Sequence, residues 1–537
     1  MGSGGRASEV RGPAGGLRPQ SVFQRRTALR AWCGVIFFSA FCAAWGCADD
    51  SARPRQGPLI LSIGVPESGA NGRELGIGSL ISNSTLEGLT QVNASVDGRA
   101  VPRLAESWTW ENNGLRLRLN LREGVLFHDG TPLTAAVAGE SLKIAIADPN
   151  NQSLYPSLAD IIDVRADGTH VLLIELSEPS SFLPEELDLP ITVAENVGTG
   201  AFRLIRREGS NAVLERFDRY YLGAPAIEQI IIRPFDTLRT AWTNLLRGEV
   251  DMVTDVPPDA VEFVNNGDIQ VFPFARSYQF LIGFNSRKGA FRSPVVRRAL
   301  NLAIDRDVLI KNVLQGQGAA ASGPLWPQHW AYDKSAPDYP VDREFATSLL
   351  GDAGFDVVHA STGDRPPARL RFTCLAPAGF SVLERIGLEV QKQLFDIGVD
   401  MEFEVVSLAE YDLRIREGRF EAVLVDLISG PTFGRPFIFW RSARGFQGLN
   451  VFGYENLEAE RLFNVLRTAQ SEAAVRSATP RLQRVLVEDP PALFLAWNAR
   501  ARAVRSLFNV TIEPARDPLL TISQWTENPD APSIGAQ

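Results

Sequence analysis

Thiols, imidazoles and long uncharged runs are scarce in this chain, and each scarcity removes a class of mechanism. Three of the four cysteines, Cys33, Cys42 and Cys47, crowd into the first 47 of 537 positions. Cys374 is then alone in the body, so no internal disulfide can brace the fold and the core must carry its stability. The four histidines, His128, His170, His329 and His359, are dispersed. Without a His-Glu-x-x-His pattern, a Cys pair, a Walker loop or a Gly-x-Ser-x-Gly nucleophile turn, no metal, cofactor or catalytic constellation is expected. The net charge of -9 is of the wrong sign for a nucleic-acid partner. Beyond residue 47 no uncharged run is long enough to span a bilayer.

What is present begins with a leader. Arg18, Arg25, Arg26 and Arg30 precede an uncharged stretch over residues 31–47, the layout of a signal peptide. Gln24-Arg25-Arg26-Thr27-Ala28-Leu29 is similar to a twin-arginine signal, although ordinary signals also carry paired arginines, so both export routes stay open. Ala44-Trp45-Gly46-Cys47 is similar to a lipobox, making Cys47 the expected lipidation site; cleavage elsewhere or retention as an anchor are the alternatives. Residues 48–57 read as a polar tether.

A body of this length exceeds one ordinary core, and an apolar fraction of 45% with 22% charged residues is that of a folded chain of two or three lobes. Leu115, Leu117 and Leu119 alternate with Arg116, Arg118 and Asn120, the period of a strand with one buried face. Asp129-Gly130-Thr131-Pro132 then supplies a turn, and Thr134 can cap a helix carrying Ala135, Val137 and Leu142. His128-Asp129 therefore reads as turn chemistry, not as a catalytic pair. In Gly198-Thr199-Gly200-Ala201-Phe202-Arg203-Leu204 the alternation of Phe202 and Leu204 makes the glycines a turn before a strand, not a phosphate loop. Val296, Leu300, Ala303 and Ile304 share one helical face, which is core. A strand at 370–375, a helix over 389–397 and a strand over 399–405 form an α/β unit. Cys374 within it reads as a small buried hydrophobe.

Pro102-Arg103-Leu104-Ala105-Glu106-Ser107-Trp108, followed by Leu121-Arg122-Glu123-Gly124-Val125-Leu126-Phe127-His128-Asp129-Gly130-Thr131-Pro132-Leu133-Thr134, resembles the signature of extracytoplasmic solute-binding proteins that feed peptide, nickel and related ABC importers. Tyr220-Tyr221-Leu222-Gly223-Ala224-Pro225, Arg247-Gly248-Glu249-Val250-Asp251 and the stretch from Arg297 to Arg306 extend the resemblance over residues 58–525. It implies an α/β, class II periplasmic-binding-protein-like clam-shell of two hinged lobes with an additional inserted α+β lobe. The matched order implies lobe I over 58–88, 198–293 and 490–525, the inserted lobe over 89–197, lobe II over 294–489 and a tail over 526–537. A binding role follows, with a peptide or other mid-sized organic solute and ABC permease subunits as partners, a monomeric state and no catalysis. An extracytoplasmic hydrolase or a sensory receptor on the same scaffold is the alternative.

The ligand is read from one turn. Peptide-binding relatives carry an Arg, a Trp and an Asp after a Gly-x-[FY]-[DE] turn, the Asp holding the peptide's ammonium group. Here the turn is Gly418-Arg419-Phe420-Glu421 and those places hold Leu424, Leu427 and Gly430, leaving Asp426 as a possible substitute. An unpartnered buried ammonium is disfavoured, and scarce histidine disfavours nickel. The expected cleft residues are Asn83, Tyr155, Tyr278, Asn285, Trp326, Asp426, Phe433, Trp440 and Arg441, with core packing the competing role for Phe433 and Trp440.

Overall fold

The computed structural model describes residues 57–66, 76–92, 97–208, 210–256, 260–261, 267–356, 367–442, 449–513 and 516–531. Cys47, the leader, most of the 48–57 tether and the end of the tail lie outside the described residues.

The first strand, β1 (Ile60–Pro66), is apolar along nearly its whole length and buried on both faces, as expected of a central strand. A short pair, β2 (Thr90–Val92) and β3 (Ala100–Pro102), leads into a separate four-stranded antiparallel sheet. That sheet comprises β4 (Ala105–Glu111), β5 (Arg116–Leu121), β6 (Ile161–Ala166) and β7 (Val171–Leu176) in the order β4-β5-β7-β6. Alternation in β5 sends Leu117, Leu119 and Leu121 inward and leaves Arg116 and Arg118 to pair with Glu111, Glu175 and Asp167 outside. Thr134 caps the covering helix Ala135–Ala147 by accepting the Val137 N–H, as the sequence predicts.

The chain then rejoins β1 through β8 (Phe202–Glu208), β9 (Asn211–Arg216), β10 (Gln229–Phe235) and β11 (Met252–Val253). The turn before β8 is pressed against the end of helix Ile77–Thr85: the Gly200 N–H donates to the Thr85 carbonyl, and a Cβ at Gly200 would stand 2.6 Å from the Thr85 carbonyl carbon. His128 is spent on the same junction, its Nε2 lying 2.9 Å from the Gly200 carbonyl oxygen and its ring edge-on to Phe217. Asp251 ties β1 by accepting the Ser62 N–H.

The next strand, β12 (Ile269–Phe284), is 16 residues long. After β13 (Gly318–Ala320), strands β14 (Leu370–Pro377), β15 (Val399–Val406) and β16 (Ala422–Ile428) build the second half. The connecting helix spans Ser381–Phe395, so it starts and ends earlier than the periodicity suggested. The 14-residue β17 (Ala492–Arg505) then returns, and β18 (Phe508–Asn509) and β19 (Thr526–Glu527) close a small pair.

All but the two small pairs and the four-stranded sheet join one eleven-stranded sheet, ordered β15-β14-β16-β12-β17-β11-β1-β10-β9-β8, with β13 on β17. The long strands β12 and β17 run through its middle. The start of β12 packs with the β1 side through Phe272, whereas Phe280, Ile282 and Phe284 enter the core of the β14–β16 side beside Val296, Leu300 and Ile386. Between these portions the β12–β17 ladder breaks: Ala275 faces Ala499 and Gln279 faces Trp497, so Arg276, Ser277 and Tyr278 oppose Asn498 alone. Cys374 is fully buried, and burial pushes its thiol pKa up, so it packs as a hydrophobe.

Candidate ligand-binding cleft

The bulge in β12 forms the floor of a cleft of about 520 Å³, a size suited to a small-molecule site. Phe274 to Tyr278 line it from below. The Ser277 carbonyl accepts the N–H groups of Ser429 and Gly430, which draws the loop after β16 onto the floor. One wall is the end of helix Ile77–Thr85 with Phe202 and the turn Pro518–Gln524. A second wall comes from the four-stranded sheet's lobe, through Arg103, Tyr155, Glu185, Glu186 and Asp188. Facing it are Gly430, Thr432, Gly434 and Arg435 after β16. Arg435 spans the gap: its Nη1 donates to the Leu154 carbonyl at 2.7 Å and its guanidinium stands 4.8 Å from the centre of the Tyr155 ring.

Three carboxyl groups on the second wall are held above the ordinary range. Burial is the main cause for each, raising Glu185 well above it, Glu186 to about 8 and Asp188 to about 7. The side chain of Asp188 also opens to cleft water, which screens it more than the other two. Arg276, buried beneath the Tyr278 ring at 4.2 Å, is lowered to about 10, chiefly by burial.

Of the residues the sequence singled out, Asn83, Tyr155 and Tyr278 line the cleft. The other six stand behind its walls, and each has a structural reason. Asn285 is fully buried and its amide donates to the carbonyls of Gly418 and Phe420. Trp326 lies under Gly430, where a Cβ would come within 3.1 Å of the indole, and meets Trp497 edge-on. The glycine at the place of the missing acid is thus packed against an aromatic plate, with no room for a longer side chain in its present setting. Asp426, the other acid nearby, is not among the lining residues: its Oδ2 accepts from Arg276 at 3.4 Å and from the Asn498 amide at 3.1 Å, and its Oδ1 is buried. Phe433 is core beside Phe182 and His329, and Trp440 is stacked on Phe452 with centroids 5.1 Å apart. Arg441 covers the Phe437 ring at 4.9 Å, near Glu460.

Sequence reasoning missed Glu185, Glu186, Asp188 and Arg435. A signal was present in Leu183-Pro184-Glu185-Glu186-Leu187-Asp188-Leu189-Pro190, where three acids interrupt an apolar segment that must otherwise be buried.

A model of the bacterial extracellular solute-binding proteins, family 5, middle region, matches residues 99–445. The chain belongs to this family. It is 25% identical over 452 residues to the oligopeptide-binding protein AppA of Bacillus subtilis (strain 168), an alignment covering 79% of this chain and 82% of that protein. Among solved structures it is similar to NikZ from Campylobacter jejuni in complex with Ni(L-His), with a TM-score of 0.72 at 20% identity over 87% of this chain and 99% of NikZ. It is likewise similar to AppA from Bacillus subtilis in complex with a nonapeptide, with a TM-score of 0.71 at 20% identity over 88% and 99% of the two chains. The fold is the α/β class II clam-shell with an inserted lobe that the resemblance implied. Among the described residues no helix is long and apolar enough to cross a membrane.

Proposed function

We propose that this protein is the capture component of an ABC importer, taking a peptide or other mid-sized organic solute between its lobes and handing it to membrane permease subunits as a monomer. The observation that carries the reading is the position of the cleft: it lies over the broken stretch of β12, where the sheet passes from one half to the other, and both halves line it together with the inserted lobe. A change of angle at that break opens or closes all the walls at once, which couples binding to a shape that a permease can recognise. The lobes are proposed to divide as the sequence suggested, at 58–88, 198–293 and 490–525, at 89–197 and at 294–489, with β12 and β17 shared between the outer two. Lipidation at Cys47 is proposed as the tether, which mass spectrometry of the mature N-terminus tests.

The ligand test is native mass spectrometry of the protein purified from its own host. Retention of a non-covalent organic solute is expected, because a closed clam-shell releases ligand slowly. A covalent adduct or turnover of a bound compound would instead identify the hydrolase alternative.

A further inference from the structure

Neither β16 nor the loop after it supplies an acid to the cleft: Gly430 has no side chain, and Asp426, on β16, is not a lining residue and is engaged by Arg276 and Asn498. Acid is supplied from the opposite wall. Glu186 lines the cleft and is 4% exposed; its Oε2 accepts the Ser157 N–H at 2.8 Å, while its Oε1 is buried with no hydrogen-bond partner among the described residues. Glu185, on the same short helix Leu183–Glu186, also lines the cleft and leaves its Oε2 without a partner. Across from Glu186 stands Gly434, where a Cβ would lie 3.0 Å from Oε1, so the facing backbone presents no side chain that could satisfy the oxygen.

We infer that Glu186, assisted by Glu185, forms a subsite for a hydrogen-bond-donating organic cation, a primary ammonium or a guanidinium group of the captured solute. This rests on the cleft being the solute site proposed above. An unpartnered buried carboxyl oxygen is costly unless a ligand completes it, and a charged N–H donor gives the strongest completion. A bare metal ion fits less well, because among the described residues no group of three or more His, Cys, Asp or Glu side chains gathers to hold one.

The subsite is also proton-linked. The groups around Glu186 are Glu185, the Ser157 N–H, the Ser157 and Ser180 hydroxyls, and Arg435. Burial outweighs the donors and raises its pKa to about 8. The empty site therefore holds a proton at neutral pH that an entering cation must displace, and affinity for the cation rises as the pH climbs toward and past 8.

The test uses ligand-stripped mature protein and matched probe pairs in calorimetry: putrescine against butanediol, L-arginine against L-citrulline, and trialanine against N-acetyltrialanine. The member of at least one pair that bears the extra ammonium or guanidinium group should bind, its partner lacking that group should bind about tenfold or more weakly, and Glu186→Gln should remove that preference. Because Glu186→Gln removes a buried acid with one unpartnered oxygen and leaves the other to accept the Ser157 N–H, its melting temperature should hold or rise, which separates lost binding from lost folding. Equal binding of the partners that lack the cationic group, or an unchanged preference in Glu186→Gln and Glu185→Gln, would reject the cation subsite while leaving solute capture standing. If no probe binds and protein from the host carries no solute, the subsite and the capture reading fall together.

Discussion

The Phe182 ring meets Phe437 edge-on across the seam between the inserted lobe and the β14–β16 side, with centroids 5.7 Å apart and planes at 79°. Ser181 beside it donates from its N–H to the Arg467 carbonyl and from its hydroxyl to the Leu466 carbonyl, and Arg467 pairs with Asp160. Opening the cleft along this seam must withdraw Phe182 from its pocket. Phe182→Ala should therefore cost about 3–5 kcal/mol where the seam is closed. It should also enlarge the ligand-free radius of gyration in small-angle scattering. An unaltered radius together with an unaltered melting temperature would show that the seam does not govern closure.

Trp440 and Tyr278 separate core from wall. Trp440 is 1% exposed and stacked on Phe452, so Trp440→Ala should lower stability by about 3–5 kcal/mol in chemical denaturation. Tyr278 is half-buried at the cleft floor over Arg276. Tyr278→Ala should lose less than about 1.5 kcal/mol of stability while weakening retention of the co-purified solute.

Arg306 is buried without a carboxylate partner in hydrogen-bonding reach among the described residues. Its guanidinium instead donates to the carbonyls of Ala321, Phe494, Asn301 and Ile304 and to the Asn301 side chain. These acceptors join helix Pro294–Ala303 to β17 and to the segment after β13. Arg306→Met preserves bulk but strands them, and a loss of about 3–5 kcal/mol is expected in urea unfolding. Arg306→Lys should recover part of it, because an ammonium group cannot reach every carbonyl.

His329 is held far below the ordinary histidine value, at about 3, first by burial and then by Arg99 and Arg476 nearby. Its Nδ1 accepts the Ala331 N–H, and the rings of Phe433 and Trp330 pack on it. A neutral buried imidazole contributes its full stability above pH of about 6.5 and loses it as the pH falls toward 3. Melting curves between pH 7.5 and 4.5 should fall more steeply for the native protein than for His329→Asn, by about 1.4 kcal/mol per pH unit below 6.5. Parallel curves would mean that His329 protonates without cost.

Periodicity and turn chemistry made the scaffold readable. The Leu117–Leu119 alternation, the Thr134 cap and the apolar face of helix Pro294–Ala303 are local facts that the fold uses as written. The cleft was less readable because its wall is decided by long-range register. Tyr278 and Asp426 lie on adjacent strands, yet the bulge at 276–278 carries Tyr278 into the cleft while Arg276 and Asn498 occupy Asp426. Residue type pointed to Trp440 and Phe433, and packing assigned both to the core, since a large aromatic side chain gains most from complete burial.

The place of β17 in the chain has a consequence for how the protein matures. This strand pairs with β12 along one edge and with β11 and β13 along the other, yet it comes from residues 492–505. Neither half of the sheet can be completed until more than nine-tenths of the 537-residue chain has been synthesised. Contacts of such sequence separation form slowly, so the sheet closes late, with the hydrogen-bonding edges of β11, β12 and β13 waiting for β17.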